Sequence, residues 1–92
     1  MTTARVTAVR VVYLARLREV LDCASETLAV ASDAAPSVAD VLRALRARGG
    51  AWARELGAGR AVRFAVNQRV ARSDTSIGEG DEVAVFPPVT GG

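Results

Sequence analysis

Two apolar segments lie near opposite ends of this 92-residue chain, and their pairing constrains the fold more than any other feature. Val6 to Leu14 is predicted to be a strand with apolar residues on both faces, and Val83 to Phe86 a shorter apolar strand. As the most apolar strands, they are expected side by side at the sheet centre. Parallel neighbours need a long crossover connection, which the intervening residues can supply. The two apolar faces also predict that the first strand is covered on both sides, or nearly so.

The clearest helix signal follows Pro36. Ser37 is a good N-cap, and Asp40 three residues later resembles a capping box with Asp in place of Glu. An apolar stripe with the spacing i, i+3, i+4 and i+7 follows, formed by Val38, Val41, Leu42 and Leu45. Gly49-Gly50 is predicted to end this helix.

Shorter elements are expected in the rest of the chain. Leu14, Leu17 and Leu21 recur at helical spacing, and Glu26 to Ala31 is a candidate edge strand. Further candidates are one or two helical turns at Ala51 to Leu56, a half-buried strand at Val62 to Val66, a turn at Asn67-Gln68 and a return strand from Val70. This order predicts an α+β fold with a mixed sheet of about five strands, one main helix and one or two short helices. We expect one domain, residues 1–92, with a flexible tail at 87–92.

The composition narrows the possible functions. Half of the residues are hydrophobic and 24% are charged, as in a soluble globular protein. There is no histidine and one cysteine, Cys23, so no metal-ligand cluster and no Cys–His nucleophile pair is expected. The twelve arginines are scattered and only four aromatics occur, which argues against nucleic-acid binding. Catalysis by the chain's own side chains is therefore not expected.

The compartment follows from the absence of targeting signals. No apolar run is long enough to span a bilayer, and the N-terminal residues do not resemble a signal peptide. The unpaired Cys23 agrees with a reducing compartment. We therefore expect a cytoplasmic protein without a membrane partner.

The C-terminal sequence GDEVAVFPPVTGG is the most informative functional motif. A strand ends at Pro87-Pro88, which lack backbone donors, and Gly91-Gly92 follow two residues later. Glycine has no Cβ, so such an end can enter a channel too narrow for other residues. The motif indicates that the carboxylate of Gly92 is the reactive group and that a partner enzyme reaches it.

These residues resemble a known family. VVYLARLREVL near the start, AVNQ in the middle and GDEVAVFPPVTGG at the end are similar to the small subunit of molybdopterin synthase, the MoaD family of ubiquitin-like, β-grasp sulfur carriers. The resemblance implies a carrier without activity of its own. It implies three partners, namely the synthase large subunit in a heterotetramer, an E1-like adenylating enzyme and a sulfur donor protein.

The resemblance also implies the chemistry. The adenylating partner uses ATP and magnesium to activate the terminal carboxylate, and this chain binds no cofactor directly. A sulfur donor then replaces the nucleotide to leave a glycine thiocarboxylate. The large subunit accepts the tail, and sulfur passes to cyclic pyranopterin monophosphate to form the dithiolene of molybdopterin.

Site residues are carried over by motif. Gly92 bears the transferred sulfur and Gly91 permits access to it. The residues expected to line the partner groove are Phe86, Pro87, Pro88, Val89 and Thr90. The family's partner-facing apolar patch corresponds to Leu14, Val70 and Phe86, although core packing is an alternative for these three. Arg18 is a candidate for an ionic contact at this interface or an exposed, solvated arginine.

Two other function classes stay open. One is a sulfur carrier for another pathway, such as thiamine thiazole or cysteine synthesis, with the same chemistry at Gly92. The other is a ubiquitin-like protein modifier, or a plain β-grasp interaction domain. The chain has no lysine, so it cannot form lysine-linked chains of itself.

Overall fold

The computed structural model describes residues 5–32, 34–57 and 59–88. Within these residues, five strands and three helices follow one another: β1 (Arg5–Tyr13), α1 (Arg16–Val20), β2 (Ser25–Ser32), α2 (Val38–Arg46), α3 (Gly50–Leu56), β3 (Arg63–Val66), β4 (Arg69–Ala71) and β5 (Glu82–Phe86). The predicted α+β class is confirmed, as are the five strands, the main helix and the two short helices.

The five strands form one mixed sheet in the order β2-β1-β5-β3-β4. The two apolar strands are central and parallel, with Val11 beside Val83 and Tyr13 beside Val85. The remaining neighbours pair antiparallel, and β2 lies at an edge, as predicted. The chain between β1 and β5 supplies the crossover that parallel pairing requires.

The core lies on one face of this sheet. Val9, Val11 and Tyr13 of β1 are at most 1% exposed and pack beneath the helices with Leu45 of α2 and Leu56 of α3. The prediction that β1 is covered on both faces is wrong. Val6, on the other face, is 65% exposed, because all three helices contribute their buried residues to a single cluster on the first face.

Helix α2 begins and packs as its sequence predicts. The backbone N–H of Ser37 donates to a carboxylate oxygen of Asp40 at 2.8 Å, and the capping box forms. The four residues of the apolar stripe are all buried. Gly49 has a φ of +74°, a conformation that glycine adopts without strain, and the chain there turns from α2 into α3.

Helix α1 is shorter than the leucine spacing predicts. Ala15 has a φ of +53° and precedes the first helical residue, Arg16. Leu17 and Leu21 are buried, whereas Leu14 lies outside the helix and is 43% exposed. Within the described ranges, no helix has the length and apolar character needed to cross a membrane.

Candidate functional site

The uncovered face of the sheet carries a row of apolar residues. Val12 pairs with Ala84, Ala84 with Ala65, and Ala65 with Val70, so the row crosses four strands. Side chains of paired residues point to the same face, and alternate residues along a strand point to opposite faces. The four side chains therefore lie on one face of the sheet, and those of the core residues Val83 and Val85 lie on the other face.

Leu14 and Phe86 extend this row towards the end of β5. The backbone N–H of Leu14 donates to the carbonyl of Val85 at 3.1 Å, so Leu14 lies next to the strand end at Phe86. Phe86 is half-buried and pairs with Arg63 of β3. We define the open-face patch as Val12, Leu14, Ala65, Val70, Ala84 and Phe86.

The structure decides between core and surface for two predicted residues. Val70 is 85% exposed and Leu14 is 43% exposed, so neither belongs to the core. Val70 on β4 and Leu14 after β1 lie on either side of β5 and β3, and exposed apolar side chains spread over one sheet face are typical of an interaction surface. That all three predicted patch residues contact a partner stays a prediction. Arg18 is also exposed and lies on α1.

The AVNQ motif positions Val70. Asn67 and Gln68 have φ values of +50° and +69°, the pair of positive values that a tight hairpin turn requires. The amide oxygen of Asn67 accepts from the backbone N–H of Glu82 at 3.0 Å, and its amide nitrogen donates to Asp81 at 3.1 Å. Asn67 thus fixes the β3–β4 hairpin to the start of β5.

The base of the tail lies beside a small cavity. Pro87 and Pro88 are half-buried. A cavity of about 180 Å³ is lined by Pro87 together with Arg16, Leu17, Glu55, Arg60, Ala61 and Val62. The other predicted tail residues, Val89, Thr90, Gly91 and Gly92, lie outside the described residues.

Glu55 is the functional candidate that the sequence did not reveal. Its side chain is 4% exposed, and its carboxylate lies 2.6 Å from Arg16, 3.3 Å from Arg60 and 3.7 Å from Arg54. The hydrogen bond from Arg16 lowers the pKa of Glu55 below its usual range, although burial opposes the shift. The carboxylate therefore stays ionised at neutral pH, and the cavity wall carries fixed charges. Arg16 lies 39 residues from Glu55, too far apart for sequence spacing to indicate the pair.

Comparisons with known proteins identify a family and relatives of this chain. A model of the ThiS family matches residues 11–92. The molybdopterin synthase sulfur carrier subunit of Escherichia coli (strain K12) is 37% identical over 84 residues, which cover 91% of this chain and 99% of that protein. The protein of the same name from Haemophilus influenzae (strain ATCC 51907 / DSM 11121 / KW20 / Rd) is 34% identical, over 89% of this chain and 96% of that protein.

Solved structures share the fold. The solution structure of the Haloferax volcanii HVO 2177 protein has a TM-score of 0.76 and 30% identity, covering 95% of this chain and 88% of that chain. The crystal structure of H. volcanii small archaeal modifier protein 1 has a TM-score of 0.69 and 28% identity, covering 90% of this chain and 99% of that chain. The ubiquitin-like fold expected from the sequence is confirmed.

Proposed function

Because this chain belongs to the ThiS family, we propose that it is the sulfur carrier subunit of a molybdopterin synthase. The observation that carries the proposal is the 37% identity to the E. coli carrier over 99% of that protein's length. The family match also runs through Gly92, so it includes the whole Gly-Gly motif.

In this proposal the carboxylate of Gly92 is the working group. A carboxylate is a poor electrophile, so an E1-like partner joins one of its oxygens to the α-phosphate of ATP, with magnesium, and releases pyrophosphate. Sulfide supplied by a sulfur donor protein then attacks the acyl carbon and AMP leaves, which gives the thiocarboxylate. That sulfur is transferred to cyclic pyranopterin monophosphate in the large subunit.

The geometry of the described residues supports a carrier role. Strand β5 lies between β1 and β3, so the tail starts from a fixed central strand. Pro87-Pro88 restricts the backbone where the tail begins, which reduces the entropy lost on insertion. Four residues follow Pro88, and a chain of that length reaches at most about 14 Å. A partner that receives Gly92 must therefore approach closely to the end of β5.

The open-face patch is proposed to dock against the large subunit. It continues to Phe86 at the base of the tail, so one partner surface can cover both the patch and the tail. The protruding Val70 and Leu14 are the proposed anchor residues. The relatives are named as subunits, and we propose a heterotetramer of two carriers and two large subunits, acting in the cytoplasm.

The proposal is tested by loading the carrier with sulfur. The chain is incubated with ATP, magnesium, an E1-like adenylating enzyme and a sulfur source, and its intact mass is measured. We expect replacement of one oxygen by sulfur at Gly92. A chain lacking Gly92 is the negative control, and Gly91→Ala should fold normally but load and transfer less sulfur. No mass change, with an adenylating enzyme active on another carrier, would refute the proposal.

The likeness to small archaeal modifier protein 1 favours a second candidate, attachment of Gly92 to other proteins. Both functions begin with an activated C-terminal carboxylate, and they differ in the acceptor. Expression of a tagged chain in its source cells separates them. Covalent conjugates that disappear when Gly92 is deleted would support the modifier, whereas a thiocarboxylate without conjugates would support the sulfur carrier.

A further inference from the structure

A cluster of charged side chains lies next to the tail base and is not explained by the carrier chemistry. We call Arg16, Arg54, Arg60 and Glu55 the Glu55 cluster. Glu55 accepts hydrogen bonds from Arg16 at 2.6 Å and from Arg60 at 3.3 Å, and Arg54 lies 3.7 Å away. The cluster joins α1, α3 and the segment before β3.

The cluster has more positive charge than its carboxylate can balance. Three guanidinium groups surround one carboxylate, which leaves two excess positive charges. The arginine side chains are 56%, 64% and 48% exposed for Arg16, Arg54 and Arg60, while that of Glu55 is 4% exposed. Each guanidinium has five N–H donors, so donors remain available for an additional oxygen ligand.

The cluster also lies where a tail-binding partner must approach. Arg16 and Arg60 line the same cavity of about 180 Å³ as Pro87. Arg16 follows Leu14 of the open-face patch by two residues. A partner surface that covers both the patch and the tail base would therefore also cover this cavity.

We propose that the cavity receives a carboxylate side chain of the partner protein that binds the tail. This inference rests on the proposed function and adds the chemistry of the partner surface. Arg16 and Arg60 line the cavity with Glu55, so covering it with a neutral surface would remove one uncompensated cation from water without a counter-charge, which is costly. A carboxylate instead pairs with guanidinium groups in a bidentate geometry.

A nucleotide phosphate is a poorer candidate for the same cavity. The reacting phosphate would be joined to Gly92, which lies five positions after Pro87. When the tail is extended into an adenylating partner, that segment spans about 17 Å, so the reacting phosphate would then lie far from Arg16 and Arg60. The position of an acidic residue on the bound protein does not depend on the length of the tail. The cluster would then select partners by charge, in addition to the apolar fit of the patch.

The first test measures binding to the molybdopterin synthase large subunit and to the adenylating enzyme by calorimetry at several salt concentrations. Arg60→Gln removes one excess charge and leaves Arg16 paired with Glu55. We expect at least a tenfold weaker affinity for the partner that supplies the carboxylate, and a shallower dependence on salt. Arg43→Gln, on α2 and remote from the cavity, is the matched control and should bind as the unmodified chain does. Unchanged affinity of Arg60→Gln for both partners would overturn the inference.

A second test does not depend on the proposed function. Acetate and phosphate are titrated separately against the full chain at constant ionic strength, and the Nε–Hε resonances of the arginines are followed by NMR. Saturable acetate shifts at Arg16 and Arg60, absent at Arg43, would support the inference even if neither partner bound. Saturation by phosphate alone, or equal shifts at all three arginines, would overturn it. The inference would also be overturned if the Arg16 and Arg60 resonances already lay, before titration, at the positions that acetate produces, and left them when residues 89–92 are deleted. The chain's own terminal carboxylate would then occupy the cavity.

Discussion

The hydroxyl of Tyr13, at the end of β1, donates a hydrogen bond of 2.6 Å to the carboxylate of Glu26 on β2. The same hydroxyl accepts from the indole N–H of Trp52 at 3.2 Å, and Arg48 donates to both oxygens of Glu26 at 2.6 and 2.7 Å. The guanidinium of Arg48 also lies 5.1 Å from the centre of the Trp52 ring. These four side chains connect two strands to the α2–α3 region.

Replacing Tyr13 by Phe should destabilise the fold. The substitution removes the hydroxyl but keeps the ring, and both Glu26 and Trp52 lose a partner. A hydrogen bond to a charged group contributes about 1.5–3 kcal/mol, so we expect a loss of that order in the free energy of unfolding. Urea denaturation followed by Trp52 fluorescence measures it. The double variant with Glu26→Gln should lose less than the sum of the single changes. A loss in the double variant equal to the sum of the two single losses would contradict the coupling of Tyr13 and Glu26 in one network.

The phenol of Tyr13 should resist ionisation in the folded protein. Burial raises the pKa of Tyr13 above its ordinary value of 10.0, and the hydrogen bond to Glu26 raises it further. The folded state therefore holds the proton more tightly than the unfolded state does. This contribution to stability is complete below pH 10 and is lost progressively as the pH rises above it. Tyr13 is the single tyrosine, so ultraviolet absorbance of the phenolate reports on it alone. Equal titration curves in buffer and in urea would contradict the prediction.

The charge of Asp40 should stabilise helix α2 at neutral pH. The backbone N–H of Ser37, followed by the guanidinium of Arg43, lowers the pKa of Asp40 below its ordinary value of 3.8. Its contribution is therefore present above that value and is lost as the pH falls through the lower folded-state pKa. Asp40→Ala should cost about 0.5–2 kcal/mol at pH 7, the range for loss of a cap, and less in acid. Thermal melts of the variant and the unmodified chain, at pH 7 and in acid, measure how the cost of the substitution changes with pH. Asp74→Ala, at a carboxylate that is 75% exposed, is the control and should change little.

A charge in the open-face patch should weaken partner binding without unfolding the protein. Val70→Glu places a carboxylate at a position that is 85% exposed, so the free energy of unfolding should change by about 0.5 kcal/mol or less. Binding to the large subunit should weaken at least tenfold. Val6→Glu is the matched control, because Val6 is also an exposed valine of the sheet, 65% exposed, and lies outside the patch. Equal effects of the two variants on calorimetric affinity would argue against docking through the patch.

Local patterns predicted most of the architecture. The stripe and cap of α2 depend on residues three to seven positions apart, and the turn at Asn67-Gln68 on adjacent residues, so both are visible in the sequence. Apolar content, which favours central positions in a sheet, predicts that β1 and β5 are neighbours, and the structure shows that they run parallel. The motif resemblance identified Leu14 and Val70, while only the structure showed that both are exposed.

The remaining features depend on contacts that no local pattern encodes. The positive φ of Ala15 shortens α1, and alanine gives no signal for that conformation. The one-sided burial of β1 depends on where all three helices pack. The Glu55 cluster brings Arg16 to Glu55 across 39 residues, and scattered arginines in a sequence do not indicate which of them converge.

The central place of β5 has a mechanical consequence. A strand at the edge of a sheet can be peeled away one hydrogen bond at a time, but β5 is held along both sides, parallel to β1 and antiparallel to β3. Tension on the tail acts along β5 and loads both ladders in shear, so that their hydrogen bonds resist together. When the tail is withdrawn from a narrow channel, the force on β5 is therefore shared by both ladders, and the strand that carries the tail stays in the sheet.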